Sequence, residues 1–169
     1  MTNIDILPTF NAVPEAAMVL GYSSGAIMSS QLSLVYPEMF KAASFLNGAM
    51  PGMSKEIGDT LKKHYNWPDD DPVKIKYQDD TYKTMKEALD KLYAEQGIDQ
   101  SLMGKESSFF FHAGMRDEEA TPAMTDMNLK YFQERGVTRT KVVKSKYFGH
   151  WFPDSMPAQA TNFMLENVS

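Results

Sequence analysis

Met18-Val19-Leu20-Gly21-Tyr22-Ser23-Ser24-Gly25-Ala26-Ile27-Met28 is the stretch on which the reading of this chain turns. The apolar run Ala16 to Leu20 has the length of a strand. Gly21-Tyr22-Ser23-Ser24-Gly25 then fits the pattern G-x-S-x-G, and Ala26 to Tyr36 reads as a helix stopped by Pro37. Strand, tight turn and helix are the surroundings that expose a serine hydroxyl on a strained backbone. Small neighbours two residues away then let strand and helix come close. The free N–H groups and the dipole at the helix start favour negative charge developing beside that hydroxyl. A plain small-residue turn between a strand and a helix satisfies the same five residues.

Outward from this stretch, strands and helices alternate. Met1 to Pro14 reads as an extended lead-in, because Pro8 and Pro14 oppose a helix. Strands are expected over Glu15–Gly21, Lys41–Leu46, Ser108–His112 and Thr140–Tyr147. Glu15–Gly21 is apolar without alternation, so it is expected under helices on both faces of a parallel sheet. Helices are expected over Ala26–Val35, over Lys55–Tyr65 behind a Ser54 cap, and over Thr81–Gln96, ended by Gly97. Two more follow: one from Thr121 (cap) and Pro122 to Arg135, closed by Gly136, and one over Pro157–Val168. The expected fold class is α/β, one domain over residues 1–169 with about four parallel strands flanked by helices. A helical insertion over roughly residues 50–107 interrupts the alternation, either as a lid over a site or as ordinary packing.

Composition narrows the partners. A net charge of −5, with acidic and basic residues mixed, leaves no basic face for nucleic acid. No apolar run approaches the ~18 residues of a membrane span. Met1-Thr2-Asn3-Ile4-Asp5 lacks the basic and apolar regions of a signal peptide, so the chain as given reads as intracellular. Cysteine is absent, which removes disulfides and thiolate metal sites. Asp69 to Asp71, with Asp79 and Asp80, match no calcium-loop spacing and read better as a solvated acidic turn. No metal and no cofactor is expected.

Parallel α/β sheets build their sites in the loops beyond the C-terminal ends of the strands. Three such loops hold Ser23, Asp117 and His150 in that order, the chain order of the α/β-hydrolase triad. A serine hydroxyl is a poor nucleophile until a base takes its proton. An imidazole titrating near neutrality can take that proton and return it to a leaving group, and a carboxylate fixes the imidazole tautomer. Asp117 competes with Glu118 and Glu119, and all three also fit a surface turn. Of the three histidines, His64 lies in the insertion and His112 ends a strand, where packing or local hydrogen bonding suits it better. The Ser24 backbone N–H is the candidate oxyanion donor, and Tyr22 and Trp151 are candidate substrate contacts. Met50, Met53 and Trp67 fit either a substrate surface or plain core.

At these residues the chain resembles the fungal single-domain polyhydroxybutyrate depolymerases, within a wider esterase group that includes feruloyl and acetylxylan esterases. The resemblance is carried by Leu7-Pro8-Thr9-Phe10-Asn11, the Gly21–Gly25 turn, Gln31-Leu32 and Tyr36-Pro37-Glu38-Met39-Phe40. Ala113-Gly114-Met115-Arg116-Asp117 matches the acid loop, and His150-Trp151-Phe152-Pro153 the histidine loop. It implies a circularly permuted α/β-hydrolase fold with the serine near the N-terminus. It implies a serine esterase with Ser23 as nucleophile, His150 as base and Asp117 as its partner, hydrolysing short hydroxyalkanoate polyesters or related esters through an acyl-enzyme. Those fungal enzymes are secreted and carry disulfides, which this chain lacks.

They also continue past the histidine into a half that completes the sheet and supplies a second oxyanion donor. Against that pattern the chain holds a partial α/β-hydrolase fold, and the Ala16–Leu20 strand becomes an apolar edge, which is an association hazard. Two expectations follow: a homodimer or complementing chain covering that edge, or a fragment of a longer product. Three other readings stand beside the depolymerase: a small-molecule esterase or peptidase with the same triad, a truncated hydrolase-like protein without catalysis, and, more weakly, a metal-dependent hydrolase using the aspartates.

Overall fold

In a strand, three successive phenylalanines such as Phe109 to Phe111 are all buried only when both faces are covered. The computed structural model, which describes residues 17–49, 79–99, 101 and 107–168, puts them in such a strand. Along the described residues run β1 (Ala17–Tyr22), α1 (Ser24–Val35), β2 (Phe40–Leu46) and α2 (Asp79–Glu95). They are followed by β3 (Ser108–Gly114), α3 (Pro122–Gln133), β4 (Arg139–Ser145) and α4 (Met156–Asn167). The strands pair in parallel in the order β1-β2-β3-β4. Among the described residues the chain is thus α/β, with four parallel strands flanked by four helices. The lead-in, the Ser54-capped helix, His64, the Trp67–Pro72 loop, Met50 and Met53 lie outside the described residues.

Strand register sorts the side chains between two layers. Phe111 pairs with Phe45 on β2 and Val142 on β4, and these join Phe109, Ala43 and Val19 on one face. Phe132 from α3 stacks on Phe45 at 5.4 Å between centroids and 12° between planes. From α2, Tyr82, Leu89 and Tyr93 belong to the same cluster, so the Asp79–Glu95 part of the expected insertion contributes to the core. Arg135, with its guanidinium over the Tyr131 ring, also pairs with Asp90 on α2. On the opposite face Phe110 and Leu46 pack with Met156 and Ala160 of α4.

Element ends follow local chemistry. The N–H groups of Gly97 and Ile98 bond back to Ala94 and Tyr93, and those of Gly136 and Val137 to Gln133 and Phe132. Both are the paired bonds of a Schellman stop, at the two glycines the sequence marks. Thr121 occupies the cap position of α3, yet its hydroxyl makes no cap bond. β4 stops at Ser145 rather than Tyr147, because the Ser145 carbonyl accepts the N–H groups of Met115 and Phe148 and turns the chain out of the ladder.

β1 departs from the expected double cover. Val19 and Gly21 face α1, but Met18 and Leu20 on the other face are 37% and 40% exposed. The only described helix on that side is α4, which lies mainly over β2 and β3 and meets β1 through Tyr22. β1 is also an edge among the described strands. The other edge, β4, presents exposed Lys141 and Lys144, a charged rim of the kind that discourages pairing.

Candidate active site

Ser23 follows β1 and caps α1 with φ 54° and ψ −122°, a conformation that costs a non-glycine residue about 1–3 kcal/mol. The turn is held from both sides: the Ser23 N–H bonds the Leu46 carbonyl, and the Ser23 carbonyl accepts the N–H groups of Ala26 and Ile27. Gly21 makes this crossing possible, since a Cβ there would lie 2.0 Å from the Gly25 carbonyl oxygen and 2.4 Å from Ser29 Oγ. The expected steric need for Gly25 is not met. A Cβ on Gly25 would touch nothing within 4 Å, because it is that residue's carbonyl, not its α-carbon face, that approaches Gly21. Ser24 and Gly25 are already helical, so the Ser24 N–H opens the first turn of α1 with no carbonyl one turn behind it. No acidic residue occupies that turn.

Asp117 and His150 come from the loops after β3 and β4, and the two loops are bonded to each other. The Arg116 N–H meets the Phe148 carbonyl at 2.9 Å, and the Met115 N–H meets the Ser145 carbonyl at 3.0 Å. Gly114 lets them touch, because a Cβ there would fall 2.1 Å from the Gly149 oxygen. The structure brings the three residues into one row. His150 Nε2 lies 2.8 Å from Ser23 Oγ, and His150 Nδ1 lies 2.9 Å from Asp117 Oδ2. A carboxylate only accepts, so Nδ1 carries the proton and Nε2 is left to accept the serine proton. The Asp117 side chain is fully buried, and its Oδ1 takes the N–H groups of Glu119 and Ala120 at 2.9 Å each. Glu119 stays exposed, 3.7 Å from His150 Nε2, and Glu118 makes no contact in the row.

The fourth loop of the sheet edge, Asn47-Gly48 after β2, is read in the sequence only as a strand end, and it holds a residue of this site. Asn47 has φ 49°, which asparagine tolerates better than most side chains. Its Nδ2 donates to Asp117 Oδ2 at 2.9 Å and to the Gly149 and Trp151 carbonyls at 3.0 and 3.3 Å. Its position at the C-terminal end of a central strand, in the same row of loops as the other three, was the signal available.

His112, expected to pack or bond locally, is fully buried between Asn47 Oδ1 and Ser145 Oγ. Burial pushes it down from 6.5 to about 4, against the pull of the Asp117 charge. The unfolded chain therefore takes up a proton below pH 6.5 that the folded chain refuses until about pH 4. Stability from this group is whole above pH 6.5 and falls as pH drops through that window, by at most about 1.4 kcal/mol per pH unit. Urea unfolding of a His112→Asn variant is expected to show a lower plateau at pH 7 but a shallower loss toward pH 4.5. Parallel losses in both proteins would mean that other groups carry the acid sensitivity.

Tyr22 and Trp151 flank the row. The Tyr22 hydroxyl donates to the His150 carbonyl at 2.5 Å, so its polar end steadies the histidine loop. Burial, then the Asp117 and Glu119 charges, push its phenol up. Trp151 is 55% exposed, stacks on Phe152 at 4.9 Å and meets the Tyr22 ring edge-on at 5.3 Å, an apolar surface next to His150 in the chain. Among the described residues no three His, Cys, Asp or Glu side chains are grouped to hold a metal. No described helix is long and apolar enough to cross a membrane.

No family model matches the chain, and neither does any curated protein. Solved structures do match. A carboxylesterase of Bacillus cereus superposes with a TM-score of 0.58 at 12% identity, over 96% of this chain and 55% of its own. Esterase PE8 gives 0.60 at 18% identity, over 96% and 55%. A PHB depolymerase complexed with an R3HB trimer gives 0.58 at 17% identity, over 85% and 42%. The fold is that of the α/β hydrolases. At these identities the likeness is one of fold, and the chain spans about half the length of the structures it matches. In this hydrolase fold β1 with its turn, α1 and the loops after β3 and β4 are the parts that carry the Ser23, Asp117 and His150 row.

Proposed function

We propose that the chain is a serine carboxylester hydrolase acting through an acyl-enzyme. The observation that carries this reading is the hydrogen-bonded row from Ser23 Oγ through His150 to buried Asp117, with Ser23 on a positive-φ turn at a helix start. Ser23 Oγ attacks the ester carbonyl carbon as His150 Nε2 takes its proton. Negative charge gathers on the carbonyl oxygen, and the Ser24 N–H is the donor available to it. Collapse expels the alcohol, which receives the proton from His150, and leaves an acyl-serine. Water repeats the sequence with His150 again as base, releasing the acid and restoring Ser23. Asp117 holds the Nδ1 proton throughout and stabilises the imidazolium.

The substrate class belongs to the same proposal: short hydroxyalkanoate esters of the polyhydroxybutyrate type. Its support is the run of motifs shared with the fungal depolymerases, the exposed Trp151 next to His150 and against Tyr22, and the PHB depolymerase among the fold neighbours. A small-molecule esterase or peptidase would use the same three side chains. A fluorophosphonate probe tests the reading directly, since only an activated serine attacks its phosphorus. Labelling found at Ser23 by peptide mass spectrometry is the expected result. A chain left unlabelled would favour a hydrolase fold kept for binding alone.

A further inference from the structure

Behind the Ser23–His150–Asp117 row lie buried polar side chains that no step above uses, and they converge on Asn47. We propose that Asn47 is a positioning residue for the Asp117–His150 pair, its one amide holding both the carboxylate oxygen that faces His150 and the backbone on either side of that histidine. The proposal rests on the esterase reading, because it gives Asn47 a part in the same relay.

The geometry is over-determined. Two amide protons of Asn47 are shared among Asp117 Oδ2, the Gly149 carbonyl and the Trp151 carbonyl. Gly149 and Trp151 are the chain neighbours of His150, so one group sets the acid and the position of the base together. The amide cannot turn over. Reversed, its oxygen would face three oxygens, none of which can donate to it. His112 Nδ1 must carry a proton to satisfy Asn47 Oδ1, which leaves Nε2 to accept the Ser145 hydroxyl. Two donor chains therefore meet at Asp117 Oδ2. One runs from Ser145 through His112 and Asn47, the other from Ser23 through His150. The backbone adds a further tie, since the Asn47 N–H bonds the His112 carbonyl at 2.9 Å. An asparagine retained only for its positive φ would need none of these partners.

Two variants separate positioning from simple support. Asn47→Gly accepts the left-handed backbone without strain and removes only the amide. Asn47→Asp keeps the shape and turns a second carboxylate oxygen toward Asp117. Among the described residues the charged groups already facing His150 are Asp117 and Glu119. The His150 imidazole is titrated by NMR, and hydrolysis of a short-chain p-nitrophenyl ester is followed on protein corrected for its folded fraction.

In Asn47→Gly, kcat is expected to fall on the order of 10–100-fold, with KM within about 3-fold of wild type. In Asn47→Asp the His150 midpoint is expected to rise by about one pH unit, and the acid limb of kcat/KM to move with it. Unchanged kcat and an unchanged His150 titration in both variants, with only the melting temperature lowered, would overturn the proposal. If the wild type itself hydrolyses no ester, the esterase reading fails separately. The His150 titration then decides for Asn47 alone: a shift in Asn47→Asp upholds the positioning role, and none removes it.

Discussion

Ser23→Ala is expected to lose ester hydrolysis by on the order of 10⁴–10⁶-fold in kcat while folding as well as wild type. Among the described residues the Ser23 hydroxyl bonds only His150 Nε2, on a side chain that is itself partly exposed, so removing it strands no buried group there. Alanine also inherits the φ 54° strain unchanged. Activity and stability therefore separate: the rate collapses and the unfolding midpoint stays. Ser23→Gly sharpens the test. It is equally inert, but it relieves a strained backbone worth about 1–3 kcal/mol, less the flexibility that glycine adds to the unfolded chain. A gain in stability with loss of activity would identify the strain as kept for function. Hydrolysis by Ser23→Ala within tenfold of wild type would move the nucleophile elsewhere and end the proposed mechanism.

Asp117→Asn is expected to have the next largest effect, a fall on the order of 10⁴-fold in kcat. Among the described residues Asp117 accepts four hydrogen bonds, from the Glu119 and Ala120 N–H groups on Oδ1 and from His150 and Asn47 on Oδ2. An amide has one accepting oxygen. Kept toward the two backbone N–H groups, it leaves its NH₂ facing His150, which must then present a bare Nδ1. The proton moves to Nε2, where it faces Ser23, and the imidazole can no longer take the serine proton. Turned the other way, the NH₂ opposes two backbone donors and the loop loses its anchor. The first orientation is favoured because side chains yield more readily than backbone. Ester kinetics at pH 7 to 9, beside urea unfolding, measure the two costs separately. Activity within tenfold of wild type would take Asp117 out of the relay.

Much of this site is legible in the chain because each piece is local. A strand-length apolar run, a serine between glycines and a helix are neighbours in sequence, so Gly21 to Gly25 reads correctly as a turn with a strained serine. Ser108 to His112 reads as a strand for the same reason, though an apolar run alone does not say whether both faces are covered: β3 is buried throughout, while Met18 and Leu20 of β1 are exposed. Asp117 and His150 follow from topology: residues just beyond parallel strands must meet at one edge of the sheet.

Asn47 could not be read this way. Its role depends on a left-handed backbone and on partners 70 and 102 residues away in the chain, which no local pattern encodes. The exposure of Met18 and Leu20 is likewise invisible in an apolar run, because burial depends on which helix lies across the strand. Gly25 shows the opposite error, a residue that sequence logic takes for a steric necessity and that has open space around it. Short-range sterics and hydrophobic period act within a few residues, and they suffice for the alternation of elements, the strained serine and the order of the three side chains. Which strand face is covered, which amide anchors the acid and how two loops share their backbone bonds depend instead on groups that meet only after the sheet has assembled.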